Sequence, residues 1–178
     1  GYDRQGAPVL ASSTGVTGSM VAILNEALMP NLVQSAEGAP AFVHGGPFAN
    51  IAHGCNSVLA TRMALAHADY AVTEAGFAFD LGAEKFFDIK CRSAGLNPSA
   101  VVIVATVRAL KMHGGVGLDD LTHPDPSAVE RGLENLAAHL DAAKHFGKPV
   151  VVAINRRRED SEGELGVIHA FCEGLGVP

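Results

Sequence analysis

A chain of 178 residues with a net charge of −6 and 48% hydrophobic residues is long enough to enclose a core and too apolar for a disordered segment. Its acidic balance leaves no basic field for nucleic acid, and no apolar run reaches the roughly eighteen residues of a membrane span. Cys55, Cys91 and Cys172 lie far apart with no C-x-x-C pair, which points to reduced thiols in a cytoplasmic setting rather than to a disulfide framework.

Residues 1–17, rich in Gly, Ser and Thr, carry no usable period and read as a loop or irregular lead-in to one α/β domain over 18–178. From Gly18, residues Met20, Ile23, Leu24, Ala27 and Leu28 recur at helical spacing until Pro30 stops the helix. A turn segment from Pro30 to Pro40 leads into Ala41-Phe42-Val43-His44, a short buried strand. The loop after it, His44 to Ser57, contains Gly45, Gly46, Pro47 and Gly54, which set a backbone path that side chains do not obstruct. Asn50, His53, Asn56 and Ser57 are its polar groups, and Asn56 or Ser57 caps a helix ending at His67. His44, His53 and Cys55 match no common zinc spacing and lack an evident fourth ligand, so no zinc is expected.

Tyr70 to Thr73 reads as a second buried strand. Thr73-Glu74-Ala75-Gly76-Phe77-Ala78-Phe79-Asp80-Leu81-Gly82 then reads as a glycine-bearing loop before a helix from Ala83 to Lys90. Strand, loop and helix in this order aim backbone N–H groups at an anion, with Glu74 and Asp80 at hand for a cation or a proton. Many α/β turns carry a glycine and an acid for structural reasons alone. Along the helix, Phe86, Phe87 and Ile89 are expected inward and Lys85, Lys90 and Arg92 outward. Lys85 and Arg92 are then either solvated charges or cations of an anion site.

Ala100 to Ala105 is continuous and β-branched, as a central parallel strand should be. Thr106-Val107-Arg108 comes just past its carboxyl end, where open α/β sheets bind ligands. Lys111 to Gly117 reads as a flexible turn and Asp119 to Asp125 as a loop. The longest amphipathic helix spans Pro126 to His145, with Val129, Leu133, Leu136 and Leu140 on one face, Asp125 as its cap and Gly147 at its end. Pro149 to Ile154 is a further buried strand. It leads into Asn155-Arg156-Arg157-Arg158-Glu159-Asp160 and a last helix, Ser161 to Gly174, that buries Leu165, Ile168 and Phe171. Gly176-Val177-Pro178 reads as the lead into another strand, and the chain as part of a longer protein. Four strands alternating with helices argue a three-layer α/β fold with a mostly parallel sheet, whose strand ends gather four polar loops along one edge.

Four stretches together resemble the formate–tetrahydrofolate ligases: His44-Gly45-Gly46-Pro47-Phe48-Ala49-Asn50-Ile51-Ala52-His53-Gly54, the loop from Thr73, Lys85-Phe86-Phe87-Asp88-Ile89-Lys90-Cys91-Arg92, and Val104-Ala105-Thr106-Val107-Arg108-Ala109-Leu110-Lys111. The similarity runs from about Pro30 to Gly176. It implies a P-loop NTPase-like nucleotide-binding domain, in part, and an enzyme that joins formate to tetrahydrofolate with ATP, through formyl phosphate, to give 10-formyltetrahydrofolate. Mg²⁺ with the nucleotide, a monovalent cation and a homo-oligomer are implied with it. Under that resemblance Arg108, Lys85, Glu74, Asp80 and His53 are the candidate catalytic residues. Gly45, Gly46, Pro47, Asn50, Gly76, Phe77, Gly82, Arg92, Thr106, Asn155, Arg156 and Arg157 are the candidate nucleotide- and substrate-binding residues.

The chain departs from the family pattern at three places. It contains no G-x-x-x-x-G-K-[ST] phosphate loop, which in the family lies upstream of these motifs. Ala78 and Phe79 replace a Gly-Ala pair, and a phenyl ring there is expected to narrow the loop. Arg157 and Arg158 stand where the family carries a Phe and a Pro that help form the pterin platform; a guanidinium stacks on rings but adds charge. Phe79 and Arg157 keep open a non-catalytic relative that binds a nucleotide or pterin. An assembly module with purely structural glycine loops is the third reading.

Overall fold

The structure, a computed structural model, describes residues 1–45, 56–76 and 78–178. They form two compact units, one of residues 1–45 and 56–74, the other of residues 75–76 and 78–178.

In the first unit, Ala11–Thr14 makes a 3-10 turn and helix α1 runs over Thr17–Leu24. Strands β1 (Asn31–Gln34) and β2 (Pro40–Val43) pair antiparallel, with Asn31 opposite Val43 and Gln34 opposite Pro40. Gly38, at a φ of +88°, turns the chain between them, and the Ser35 N–H donates to the Ala39 carbonyl at 2.9 Å. By sequence β1 reads as part of a turn and β2 as a member of a parallel sheet. A short connection centred on glycine is instead a hairpin signal. Helix α2 spans Val58–His67, and its cap is Ser57, whose Oγ accepts from the Ala60 N–H at 3.0 Å. Tyr70 to Thr73, expected as a buried strand, forms no strand, and Tyr70 and Val72 are 89% and 96% exposed. No described strand pairs with this run, so apolar character alone does not make it a strand.

The second unit holds the parallel sheet. Strands β3 (Val101–Ala105) and β4 (Val150–Ile154) pair parallel and in register, from Val101 opposite Val150 to Ala105 opposite Ile154. The α/β class holds, but the described strands make two two-stranded sheets rather than one four-stranded sheet. Ahead of β3, Ala78–Ala83 and Phe86–Cys91 wind as π-helical turns and continue into the short helix α3 (Arg92–Ala94). The wider turn rephases the faces. Phe79, Ala83, Phe87 and Cys91 are buried four residues apart, as are Gly82, Phe86 and Lys90. Ile89, expected inside, is therefore exposed, and Lys90, expected outside, is buried with its ammonium 5.2 Å from the Phe86 ring centre. A period of 3.6 does not describe a segment whose hydrogen bonds run i to i+5.

Helix α4 (Val107–His113) comes after β3 with Thr106 as cap, and α5 (Pro126–His145) is capped by Asp125. Helix α6 (Glu162–Gly174) opens on a capping box of Ser161 and Glu164. One face of the sheet packs on α5 and α6 through Ala105, Leu133, Leu136, Leu140, Leu165 and Ile168. Helices α4 and α5 meet backbone to backbone. A Cβ on Gly114 or on Gly132 would collide with the carbonyls of Ala128 and Leu110, so only glycine permits this approach.

Candidate functional site

The carboxyl ends of β3 and β4 lie side by side because the two strands are parallel and in register. The ladder continues one residue further, where the Asn155 N–H donates to the Ala105 carbonyl at 2.8 Å. Thr106 leaves β3 and caps α4, its Oγ1 accepting from the Ala109 N–H at 3.1 Å. That side chain is engaged in capping; what the turn presents outward is Arg108, exposed in the first turn of α4. On the neighbouring strand, Asn155, Arg156, Arg157 and Arg158 are all exposed. The Arg156 guanidinium donates to Glu162 Oε1 at 2.6 Å. Both partners are mostly solvated, so this pair contributes at most about 1 kcal/mol. The Arg157 N–H donates to buried Asp160 at 2.7 Å, which shapes the turn and leaves the arginine side chain outside. Thr106 to Arg108 and Asn155 to Arg158 thus make a cationic edge where an α/β sheet ordinarily binds ligands.

Beneath this edge sits a buried ion pair that the sequence pattern does not announce. Lys111, by sequence part of a flexible turn, belongs to α4 and is 1% exposed, and its Nζ stands 2.8 Å from Oε1 of fully buried Glu164. The same Nζ donates to the His123 carbonyl at 3.0 Å. Glu164 Oε1 also accepts from the Asp125 N–H at 3.0 Å, and Oε2 accepts from the Ser161 N–H and hydroxyl at 2.9 and 2.7 Å. Burial opposes the Glu164 charge, but the ammonium and the three other donors outweigh it and hold the carboxyl down at about 2. The spacing Ser161-x-x-Glu164 carries the signal for half of this pair. No such pattern marks the other half: Lys111 is buried with Val107 and Leu110 on one face of α4.

The remaining predicted residues are placed elsewhere or lie outside the described residues. The π-helical segment packs on Ala142, Phe146, Val101 and Val150, toward the amino ends of the strands. Lys85, half-buried, and Arg92 and Asp80, both exposed, ride on that segment and do not join the cationic edge. Gly76 has a φ of +104°, and a Cβ on Gly82 would stand 2.6 to 2.8 Å from the Gly76 backbone and the Ala75 carbonyl; the fold itself accounts for both glycines. Phe79 does not narrow the loop. Its ring is buried 5.9 Å from the Phe146 ring and 6.4 Å from the Phe87 ring.

Gly45, at a φ of +87°, and exposed Glu74 belong to the first unit. There His44 is anchored twice, Nε2 donating to the Ala27 carbonyl at 2.7 Å and Nδ1 lying 2.7 Å from the Ser57 hydroxyl. The His44 N–H donates to Asn56 Oδ1 at 2.8 Å and Asn56 Nδ2 to the Phe42 carbonyl at 2.5 Å. These bonds fasten the two ends of the predicted glycine loop. Gly46, Pro47, Asn50, His53 and Phe77 lie outside the described residues. Cys91 and Cys172 are free and buried, and burial pushes both thiols up; Cys55 also lies outside the described residues. No helix among the described residues is long and apolar enough to cross a membrane.

A family model described as formate–tetrahydrofolate ligase matches residues 1–177, extending the similarity read from the motifs back to the start of the chain. The chain is 60% identical over 178 residues to the formate–tetrahydrofolate ligase of Hyphomonas neptunium, covering all of this chain and 32% of that protein. It is 58% identical over 178 residues to the ligase of the same name in Granulibacter bethesdensis, covering 31% of it. The same holds for that of Symbiobacterium thermophilum, at 58% over 178 residues and 32% coverage. The chain spans about a third of the length of these curated relatives. On a match over nearly its whole length, the chain belongs to the formate–tetrahydrofolate ligase family.

Proposed function

We propose that this chain supplies the cationic substrate edge of an enzyme that condenses formate with tetrahydrofolate, using ATP, to give 10-formyltetrahydrofolate. In that reaction a formate oxygen attacks the γ-phosphorus and ADP leaves. The folate amine then attacks the formyl carbon of formyl phosphate, the carbon–oxygen bond to phosphate breaks, and phosphate departs with the amine proton. Both steps build negative charge on phosphoryl oxygens, and catalysis of such transfers is mostly positioning and charge neutralisation. Arg108 and Arg156 take that neutralising role and Asn155 and Thr106 border it, while the Arg157 guanidinium stacks on the pterin ring. Gly45, Gly46 and Gly76 are assigned to close backbone approach and Pro47, Asn50, Phe77 and Gly82 to nucleotide or substrate binding, with Glu74 and Asp80 for cation or proton handling and His53 as an acid or base. Lys85 and Arg92 serve anion binding from their own segment. The observation that carries the reading is the parallel, in-register pairing of β3 and β4, which sets Arg108 beside the arginine loop in a chain of this family.

The full-length protein is then a cytoplasmic homo-oligomer that uses Mg²⁺ with its nucleotide and a monovalent cation. Among the described residues no three His, Cys, Asp or Glu side chains group to hold an ion. The test is an assay of the full-length protein. Formation of 10-formyltetrahydrofolate and ADP in equal amounts, dependent on all three substrates, is expected. The 178-residue chain alone, which has no phosphate-loop motif, should give none. A pure full-length protein that forms no product would overturn the proposal.

A further inference from the structure

The Lys111–Glu164 pair joins the two segments that leave the sheet at the cationic edge. Lys111 is on α4, directly after β3, and lies one turn beyond Arg108. Glu164 is on α6, which comes after β4 and the arginine loop. Every acceptor site on the Glu164 carboxylate is used: Oε1 takes the ammonium at 2.8 Å and the Asp125 N–H at 3.0 Å, and Oε2 takes the Ser161 N–H and hydroxyl at 2.9 and 2.7 Å. The arginine loop is fixed at its start by the Asn155 N–H on the Ala105 carbonyl at 2.8 Å. Its end is Ser161, which Glu164 grips. Between these two anchors the loop is tied by Asp160 and Arg157, at 2.7 and 3.2 Å, and by the Arg156 N–H on the Ile154 carbonyl at 3.0 Å.

Two fully desolvated charges are a poor way to gain stability, because apolar residues of the same volume do as well or better. What a saturated carboxylate provides is a fixed geometry, since each donor admits few other arrangements. We propose that Lys111 and Glu164 are positioning residues: their ion pair sets the arginine loop at a fixed place relative to Arg108. The inference rests on the ligase reading above for its kinetic consequence, and on geometry alone for the position of the loop.

The test uses the full-length protein with Lys111→Met, Glu164→Gln and the two combined. Each single change leaves one buried charge unmatched and should lower the melting temperature. The double change removes both charges and should recover most of that loss, but a glutamine cannot accept from both Ser161 and Asp125 as the carboxylate does. The double variant should therefore melt near the wild type yet show a KM for tetrahydrofolate raised and a kcat lowered, so that kcat/KM falls at least about tenfold. Amide exchange at Arg157, Asp160 and Ser161 should quicken about tenfold or more, while the β3 amides keep their protection. Should the double variant fail to fold, Ser161→Ala removes the hydroxyl's bond to Glu164 Oε2 together with its cap on the Glu164 N–H, and should give a smaller shift of the same kind, about threefold in both readouts. Recovery of melting temperature, kcat/KM and exchange together, or a silent Ser161→Ala, would reduce the pair to a staple and overturn the proposal. A wild-type protein without ligase activity defeats the functional reading instead, and the exchange measurement still decides whether the pair holds the loop.

Discussion

Ala78 has a φ of +47°, a left-handed backbone that costs a residue with a Cβ about 1–2 kcal/mol. It lies between Gly76 and buried Phe79, so the chain must turn there to carry the ring into the cluster with Phe87 and Phe146. Glycine adopts this conformation freely but loses more entropy on folding. Ala78→Gly should therefore raise stability by a net of about 0.5–1 kcal/mol, read as a higher urea midpoint at an unchanged slope; a lower midpoint would mean that the strain is illusory. Glu164 gives a second test of a single residue. Its carboxyl is lowered from 4.5 to about 2 in the fold, so the unfolded chain binds the proton more tightly than the native one. The stabilisation, on the order of 3 kcal/mol, is complete above pH 4.5 and is lost as pH falls toward 2. Stability measured across that window should drop less steeply in the Lys111→Met, Glu164→Gln double variant than in the wild type, and equal slopes would contradict the assignment.

At the scale of elements, the contact between α4 and α5 depends on Gly114 and Gly132, each facing a carbonyl of the other helix. Gly132→Ala gains helix propensity of about 1 kcal/mol but must push the helices apart, and overpacking of this kind costs about 1–3 kcal/mol or more. Overpacking wins, so the variant should melt several degrees lower; a higher melting temperature would show that the helices separate easily. Helix α5 is legible in the sequence to the residue, because a cap, an apolar stripe and a terminal glycine all agree. The parallel pair β3–β4 is legible from two β-branched runs, and the cationic edge from Arg108 and the three arginines just past their ends. The π-helical segment is not legible, because nothing in Phe86 to Lys90 signals a turn wider than 3.6 residues, and a regular period assigns Ile89 and Lys90 to opposite sides from those they occupy. Tyr70 to Thr73 misleads because an apolar run makes a strand only where a neighbour completes the ladder. Lys111 is hidden by its type: a lysine shortly before two glycines suggests solvent, and only its buried carboxylate partner brings it inside.

For the whole molecule, the two units differ in how much they bury. In the first, Ala60 is the one buried residue among those described, and Met20, Val21, Ile23 and Leu24 of α1 are exposed by 44 to 80%. A helix apolar on every side is one that other parts of a protein enclose, which accords with a chain spanning about a third of its relatives' length. The second unit has its own core, and the cationic edge is built on it. The most direct measurement is steady-state kinetics of the full-length protein carrying Arg108→Ala, beside Lys148→Ala, whose ammonium bonds Asn97 at 2.5 Å next to the start of β4. Arg108→Ala should lower kcat/KM by about a hundredfold, the scale of losing one preorganised charge-stabilising donor, with an unchanged melting temperature, while Lys148→Ala stays within about twofold of the wild type. An Arg108→Ala enzyme as active as the wild type would contradict the placement of the substrate site at the carboxyl ends of β3 and β4.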